Sequence, residues 1–140
     1  MSRPVIVDTG VLVAFLVPQD RFHRWAVDQL TEVREPAITC EAVIAESCFL
    51  TQRLHEGPEK VLELVRRRYL TLPFCLDAEI AVVKDLVSRY RSVPMSVADA
   101  CLVRMSEMFD GSCVLTLDSD FQIYRKHRNQ VIPVITPNFS

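Results

Sequence analysis

Four acidic residues of this sequence have settings that suggest chemistry: Asp8, Glu46, Asp99 and Asp118. Several carboxylates at one site repel one another, and a divalent cation relieves that repulsion. Carboxylate oxygens suit hard ions such as Mg²⁺ and Mn²⁺, which also bind substrate phosphate. Such an ion lowers the pKa of a bound water and polarises a phosphoryl oxygen. The four acids therefore favour metal-assisted hydrolysis of a phosphodiester, with Mg²⁺ or Mn²⁺ as the cofactor.

Glu46 is the acid that structural roles explain least well. It lies in the middle of an expected helix, in residues 43–50 (VIAESCFL), where nearly every neighbour is apolar. We therefore expect it to be buried, and an unpaired buried carboxylate is costly. The same helical face offers no basic side chain before Arg53, two turns further on. Asp99 lies in a similarly apolar segment, residues 97–103. The apolar surroundings of Glu46 and Asp99 therefore favour a metal ion as the partner of both carboxylates.

The other three positions also fit helix capping and turn chemistry. Asp8 directly precedes an expected helix, and Asp is a favoured N-cap residue. Ser96-x-x-Asp99 matches a capping box, in which the acid reaches back to the N–H of the cap residue. Asp118 and Asp120 fit a turn before a short helix. For each of these acids taken alone, a capping or turn role remains an alternative to metal binding.

Other phosphoryl-transfer designs lack their required residues. Gly10 and Gly57 are isolated, which excludes a phosphate-binding P-loop. The three histidines are scattered and lack the spacing of zinc ligands. A phosphatase with a strand-end Asp nucleophile would need a second Asp where Gly10 stands. A receiver domain would need paired acids before its strand-end Asp and a late strand-end Lys, and neither is evident.

The elements that must position these acids follow from the alternation of apolar and amphipathic segments. Strands are expected at residues 4–7, 37–39, 70–76, 112–117 and 131–135. Helices are expected from Val11, over residues 20–34, 41–55, 59–69, 77–91 and 96–109, and briefly after Ser119. This alternation predicts an α/β fold, with a parallel sheet covered on both faces. Ligands bind such sheets beyond the carboxyl ends of the strands, where the strand order reverses. Asp8 and Asp118 each follow a strand, so we expect both at that edge.

Length and composition limit the setting of this site. The 140 residues predict one domain, residues 1–140. A net charge of -2 gives no global attraction to nucleic acid, so RNA phosphates would need local basic residues. The densest basic run, residues 66–68, is more simply a solvated helix surface. Residues 11–17 are too short an apolar run to cross a bilayer.

Cysteine usage favours a reducing compartment. The five cysteines form no CxxC motif and lie in apolar stretches, which is typical of buried free thiols: Cys40, Cys48, Cys75, Cys101 and Cys113. We therefore expect a cytoplasmic protein without disulfides.

Four motifs together resemble the PIN domain family in type, order and spacing. They are residues 7–10 (VDTG), Ala45-Glu46, residues 96–100 (SVADA) and residues 116–121 (TLDSDF). The resemblance extends over essentially the whole chain. It implies a three-layer α/β/α sandwich with a central parallel sheet, dependence on Mg²⁺ or Mn²⁺, and endonuclease action on RNA.

The resemblance also assigns the site residue by residue. The implied ligands are Asp8 and Asp99, most directly, Glu46, directly or through water, Asp118, which completes the quartet, and Asp120 as an assisting acid. Thr9 and Thr116 are implied as hydroxyl partners of the carboxylates.

Partners follow from the resemblance as well. Many short members are VapC-type toxins that a small antitoxin silences, which implies an RNA substrate and an antitoxin partner. The family and the apolar helices expected over residues 41–55 and 59–69 also suggest a homodimer. Two alternatives stay open: a standalone PIN nuclease in RNA processing, and an inactive PIN-like binding module.

Overall fold

A computed structural model describes residues 3–138. Its strands are β1 (Val5–Val7), β2 (Ala37–Ile38), β3 (Leu70–Thr71), β4 (Cys113–Leu115), β5 (Arg125–Lys126), β6 (Gln130–Val131) and β7 (Val134–Ile135). Its helices are α1 (Thr9–Leu16), α2 (His23–Glu32), α3 (Glu41–Leu50), α4 (Gly57–Arg66), α5 (Ile80–Arg89) and α6 (Val97–Met108), with a short 3-10 helix at Ser119–Gln122. No described helix is long and apolar enough to span a membrane.

Five parallel strands form the central sheet, in the order β3-β2-β1-β4-β7. The chain moves outward from β1 through β2 to β3, and then returns to place β4 on the other side of β1. The strand order therefore reverses between β1 and β4, where Val7 is in register with Leu115. A reversal of this kind leaves a crevice beyond the carboxyl ends of the two strands. The predicted parallel sheet flanked by helices is confirmed.

Two groups of helices pack against this sheet. Helix α1 contacts α2, α3 and α4, whereas α5 packs on α6, and α6 contacts both β1 and β4. Helix α6 is buried around most of its circumference, at Ala98, Ala100, Cys101, Leu102, Val103, Met105 and Ser106. Because α6 is so enclosed, the position of its first turn is set by packing on several sides.

The corner between α3 and α4 depends on a glycine. Helix α3 ends at Leu50, earlier than the predicted residue 55, and the chain turns through residues 51–56 into α4. A Cβ atom on Gly57 would lie 2.0 Å from the backbone oxygen of Thr51. No side chain fits there without moving the backbone, so Gly57 permits the close approach of the two helices.

Other expected boundaries were also wrong. The strand predicted over residues 70–76 ends at Thr71, because Pro73 has no N–H for a ladder hydrogen bond. The helix predicted from residue 77 begins only at Ile80. Residues 131–135 do not form one strand, since Val131 belongs to β6, which pairs with β5 as an antiparallel hairpin. The turn of that hairpin has positive φ at His127 and Arg128 rather than at a glycine, so its sequence carries no turn signal.

The cysteines were predicted to be buried, and two of them are not. Cys40, Cys101 and Cys113 are buried, whereas Cys48 is half-buried and Cys75 is exposed. All five are free thiols. Cys75 lies in the irregular segment after β3, where neighbouring apolar residues do not imply a core position.

Candidate active site

Asp8 lies at the reversal of strand order, one residue after β1. It is the N-cap of α1, with Oδ1 accepting a hydrogen bond from the backbone N–H of Thr9 at 2.8 Å. Its Oδ2 accepts from the hydroxyl of Thr116, just beyond β4, at 2.7 Å. The residue is only 6% exposed. Asp8 thus caps a helix and also faces the second strand of the crevice, so the capping role does not compete with a role in a site.

The hydroxyl of Thr116 connects two of the acids. It donates to Asp8 and accepts from the backbone N–H of Asp118 at 2.9 Å. Asp118 caps the 3-10 helix, since its Oδ1 accepts from the N–H of Asp120 at 2.9 Å. The hydroxyl support expected from Thr116 is therefore present. The hydroxyl of Thr9 differs, because it is buried and has no hydrogen-bond partner among residues 3–138.

Asp99 lies in the first turn of α6. The Oγ of Ser96 caps the helix by accepting from the N–H of Asp99 at 3.0 Å. The side chain of Asp99 accepts a hydrogen bond from the hydroxyl of Tyr124 at 3.0 Å, through Oδ2. Tyr124 is fully buried and packs edge-on against Tyr90 and Phe121, with ring centroids 5.1 and 5.2 Å apart. The tyrosine is thereby held in one orientation, and its hydroxyl holds the carboxylate.

Tyr124 is a functional candidate that sequence reasoning missed. Its sequence neighbours are Ile123 and Arg125, and none of the four motifs includes it. The available signal was general: a buried tyrosine hydroxyl needs a hydrogen-bond partner. That rule does not identify the partner, which lies 25 residues away along the chain.

The pKa values show that three carboxyl groups share one electrostatic environment. Burial raises the pKa of Asp8 to about 6, hydrogen bonds from Thr116 and Thr9 oppose the rise, and the charges of Asp99 and Asp118 add to it. Burial likewise raises the pKa of Asp99, and the charge of Asp118 contributes. Like charges raise a carboxyl pKa only at short range. The charges of Asp99 and Asp118 therefore bear on the ionisation of Asp8, and Thr116 connects Asp8 with Asp118 directly.

The burial predicted for Glu46 is wrong, because its side chain is exposed. Helix α3 buries Val43, Ile44 and Ser47, whereas Phe49, which lies one turn after Glu46, is 67% exposed. The helix is apolar on its outer face as well, so an exposed acid had apolar neighbours in sequence. Helix α3 contacts both α1, which Asp8 caps, and α6, which Ser96 caps. Glu46 therefore lies on a helix that neighbours the helices of the other acids.

No basic side chain neutralises these acids in the described structure. The ion pairs found among residues 3–138 include none of Asp8, Asp99 or Asp118. Arg66 and Arg67 pair with Glu63 on the exposed face of α4, as expected of a solvated surface. Arg104 is held by Glu79 and Glu107. Within residues 3–138, these acids have hydrogen-bond donors around them but no basic side chain paired with them.

The donor set fits a hard divalent cation with water in its coordination shell. Among residues 3–138, no three acidic, His or Cys side chains stand close enough to enclose one ion by themselves. Mg²⁺ is usually held by one or two carboxylates, and its remaining ligands are waters and substrate phosphates. Asp8 and Asp99 supply such carboxylates, and their raised pKa values mean that a cation would relieve an existing cost.

Substitution of Tyr124 tests whether its hydrogen bond to Asp99 contributes to metal binding. Tyr124→Phe removes only the hydroxyl, and we expect Mn²⁺ to bind about 10-fold more weakly, the usual effect of losing an outer-shell partner. Isothermal titration calorimetry with Mn²⁺ measures the change. Tyr90→Phe is the matched control, because the Tyr90 hydroxyl accepts from the backbone N–H of Arg125 and touches no acid. Equal losses in both variants would show that packing, and not the bond to Asp99, is responsible.

Comparison with known proteins identifies the family and the fold. The family model described as PIN domain matches residues 5–126. The crystal structure of VapC20 from Mycobacterium tuberculosis, a toxin that cleaves the sarcin–ricin loop, is similar in fold, with a TM-score of 0.73 and 19% sequence identity. The match covers 92% of this chain and 99% of that one. No curated protein matches the sequence significantly. The chain belongs to the PIN domain family.

Proposed function

We propose that this protein is an endoribonuclease that depends on Mg²⁺ or Mn²⁺ and hydrolyses RNA phosphodiester bonds. The observation that carries the proposal is the buried carboxylate of Asp8, which Thr116 links to Asp118 and whose pKa the charges of Asp99 and Asp118 raise. No ion pair found among residues 3–138 includes it. Maintaining such repulsion in a fold lowers its stability, and a cation-dependent function explains why the acids are kept together.

Each acid has a defined part in this mechanism. Asp8 and Asp99 would hold the ion, because Thr116 orients Asp8 and Tyr124 orients Asp99. Asp118 would add negative charge near the ion, and the exposed Glu46 would act on the ion through water. When bound, the ion supplies a more acidic water and neutralises charge on the scissile phosphate. Thr116 hydrogen-bonds to both Asp8 and Asp118 and so fixes their relative positions.

Asp120 is proposed only as an assisting acid. Its backbone N–H already serves to fix Asp118, and its side chain is half-buried at the start of the 3-10 helix. A role in orienting Asp118 fits this placement better than direct ligation.

RNA cleavage by the purified chain is the direct test. We expect cleavage of a mixed RNA substrate with Mn²⁺ or Mg²⁺ and none with excess EDTA, and restoring the metal should restore the activity. An RNA that is bound but never cut at any metal concentration would instead favour the inactive binding module. Cleavage that persists in EDTA would contradict the metal site.

We further propose that the nuclease is a cytoplasmic toxin of a type II toxin–antitoxin pair. The similarity of fold to the VapC20 toxin supports this role over a standalone nuclease in RNA processing. The acid cluster would attract a basic side chain of an antitoxin. Co-purification of a small protein encoded beside this chain, with loss of RNase activity, is the supporting result.

We also propose a homodimer through the outer faces of α3 and α4. Phe49, Leu50 and Leu62 are 67%, 54% and 53% exposed, more apolar surface than these helices need for packing on the core. A two-fold interface is the commonest way to cover such a surface. Sedimentation at tens of micromolar distinguishes a dimer from a 16.0 kDa monomer. We expect the wild type to sediment as a dimer and the Leu62→Glu variant to sediment as a monomer.

A further inference from the structure

A hairpin of basic residues packs on the helix that carries Asp99, and the proposed mechanism does not use it. Strands β5 and β6 pair antiparallel around a turn, and residues 125–128 of this hairpin are consecutive basic residues (RKHR). We call residues 125–131 the basic hairpin, and its strand β5 contacts α6. Because the whole chain has a net charge of -2, the basic hairpin is a local concentration of positive charge.

The base of the basic hairpin is fixed beside Asp99. Tyr124, whose hydroxyl donates to Asp99, directly precedes β5, and the backbone N–H of Arg125 donates to the hydroxyl of Tyr90 at 2.9 Å. The guanidinium of Arg125 donates to the backbone oxygens of residues 122–124 at 2.7, 3.1 and 3.0 Å. Arg125 therefore holds the base of the hairpin in place.

The tip of the basic hairpin is held at the other end of α6. The backbone N–H of His127 donates to Oε2 of Glu107 at 2.7 Å. Glu107 follows Asp99 by eight residues, which is about 12 Å along the helix axis. A stacked nucleic-acid strand advances about 3.4 Å per nucleotide, so this length of helix corresponds to about three or four nucleotides.

Two cations of the basic hairpin have no acidic partner in the part of the chain that the structure describes. No ion pair found among residues 3–138 includes Lys126 or Arg128. The cavity beside the tip is lined by Glu107 and Asp85, but each of these acids already pairs with an arginine of its own helix. The basic run at residues 66–68 differs, since two of its three arginines pair with one glutamate.

The turn of the basic hairpin places side chains where glycine is easier to accommodate. His127 and Arg128 have φ of 49° and 72°, in the left-handed region that side chains rarely adopt. Both residues are exposed, so burial does not require them. The turn itself therefore does not explain why position 128 is an arginine.

We propose that the basic hairpin, through Lys126 and Arg128, binds phosphates of the RNA strand about three or four nucleotides from the scissile one. The inference rests on the proposed function and extends its site along α6. The negative charges of Asp8 and Asp99 repel RNA, and a bound ion offsets this repulsion at the scissile phosphate. More distant phosphates need cations from the protein, which the basic hairpin supplies. Such contacts position the strand and do not read its sequence.

Binding of a fluorescently labelled RNA in EDTA tests the basic hairpin apart from cleavage. At about 0.1 M salt, we expect Arg128→Gln to weaken binding about 5-fold and to reduce the slope of log affinity against log salt by about 0.7, the effect of one lost phosphate contact on a single strand. Lys126→Gln should behave alike, and the loss should be uniform across RNA sequences. Arg24→Gln is the matched control, because it removes the same charge from an exposed pair with Asp28 on α2.

Arg128→Gly separates binding of RNA from folding. Glycine suits a φ of 72°, so Tm should not fall, whereas the affinity for RNA should still fall about 5-fold. With Mn²⁺ present, the loss should appear as a higher KM for RNA cleavage and not as a lower kcat.

The results for the basic hairpin and for the nuclease are distinguishable. Wild-type affinity in both Lys126→Gln and Arg128→Gln, or an equal loss in Arg24→Gln, would overturn the role of the basic hairpin. A wild type that binds no RNA would overturn it too. If the wild type binds RNA through the basic hairpin but cuts it with neither metal, the proposed nuclease fails and the binding surface stands.

Discussion

Asp99→Asn is expected to lower the rate of Mn²⁺-dependent RNA cleavage by roughly 10²–10³-fold or more, the loss typical when a key electrostatic group is removed. The asparagine oxygen can still accept the hydrogen bond from Tyr124, so the orientation of the side chain should persist. What is lost is the negative charge that we propose holds the ion. Initial rates on a defined RNA, with the metal at saturation for the wild type, measure the effect.

The same variant should be more stable than the wild type without metal. Burial and the charge of Asp118 raise the pKa of Asp99, which means that the ionised form is unfavourable in the folded state. Removing that charge relieves the cost, so we expect a higher Tm in EDTA. Asp85→Asn is a suitable control, since Asp85 pairs with Arg89 on the surface of α5. If Asp99→Asn cuts RNA as fast as the wild type, a contaminating nuclease explains the activity.

Stability in EDTA should fall as the pH rises, through the contribution of Asp8. Its pKa is about 6 in the folded protein and about 3.8 otherwise, so folding favours the protonated form. The contribution is fully present below pH 3.8 and is lost as the pH passes through 6. A shift of this size corresponds to about 3 kcal/mol over the full range, since each unit is worth about 1.4 kcal/mol.

Comparison with Asp8→Asn separates the contribution of Asp8 to stability from the contributions of the other carboxyl groups. The difference in unfolding free energy between the wild type and this variant, from urea titrations at pH 4 and pH 8, should move against the wild type at the higher pH. Adding Mn²⁺ at pH 8 should restore stability to the wild type only, because a ligand of the folded state stabilises it. A difference that is independent of pH would show that Asp8 is already hydrated or paired.

The positions of Asp8 and Asp118 could be predicted because they depend on local signals. Each follows a short apolar strand, and parallel strands bring their carboxyl ends to one edge. Asp99 was also accessible, since Ser96 and the apolar segment after it define the start of α6. These inferences need only strand ends, a helix start and the rule of strand reversal.

Glu46 and Tyr124 depended on information that a local pattern does not contain. The burial of Glu46 was inferred from apolar neighbours, but part of the apolar surface of α3 is left uncovered by this chain. Tyr124 meets Asp99 only because the segment after the 3-10 helix folds back on α6. The β5–β6 hairpin was missed for a similar reason, as its turn uses His127 and Arg128 in a conformation that glycine usually adopts.

The central place of β1 in the sheet has a consequence for synthesis of the protein on the ribosome. Asp8 emerges early, but its partner Thr116 lies 108 residues later, and Tyr124 later still. Until β4 is made, β1 has a neighbour on one side only, and the crevice has no second wall. A chain that stops before residue 113 therefore contains Asp8 but lacks the second strand of the crevice. The crevice is complete only after β4 and Tyr124 have been made, so a chain that lacks them cannot form the proposed site.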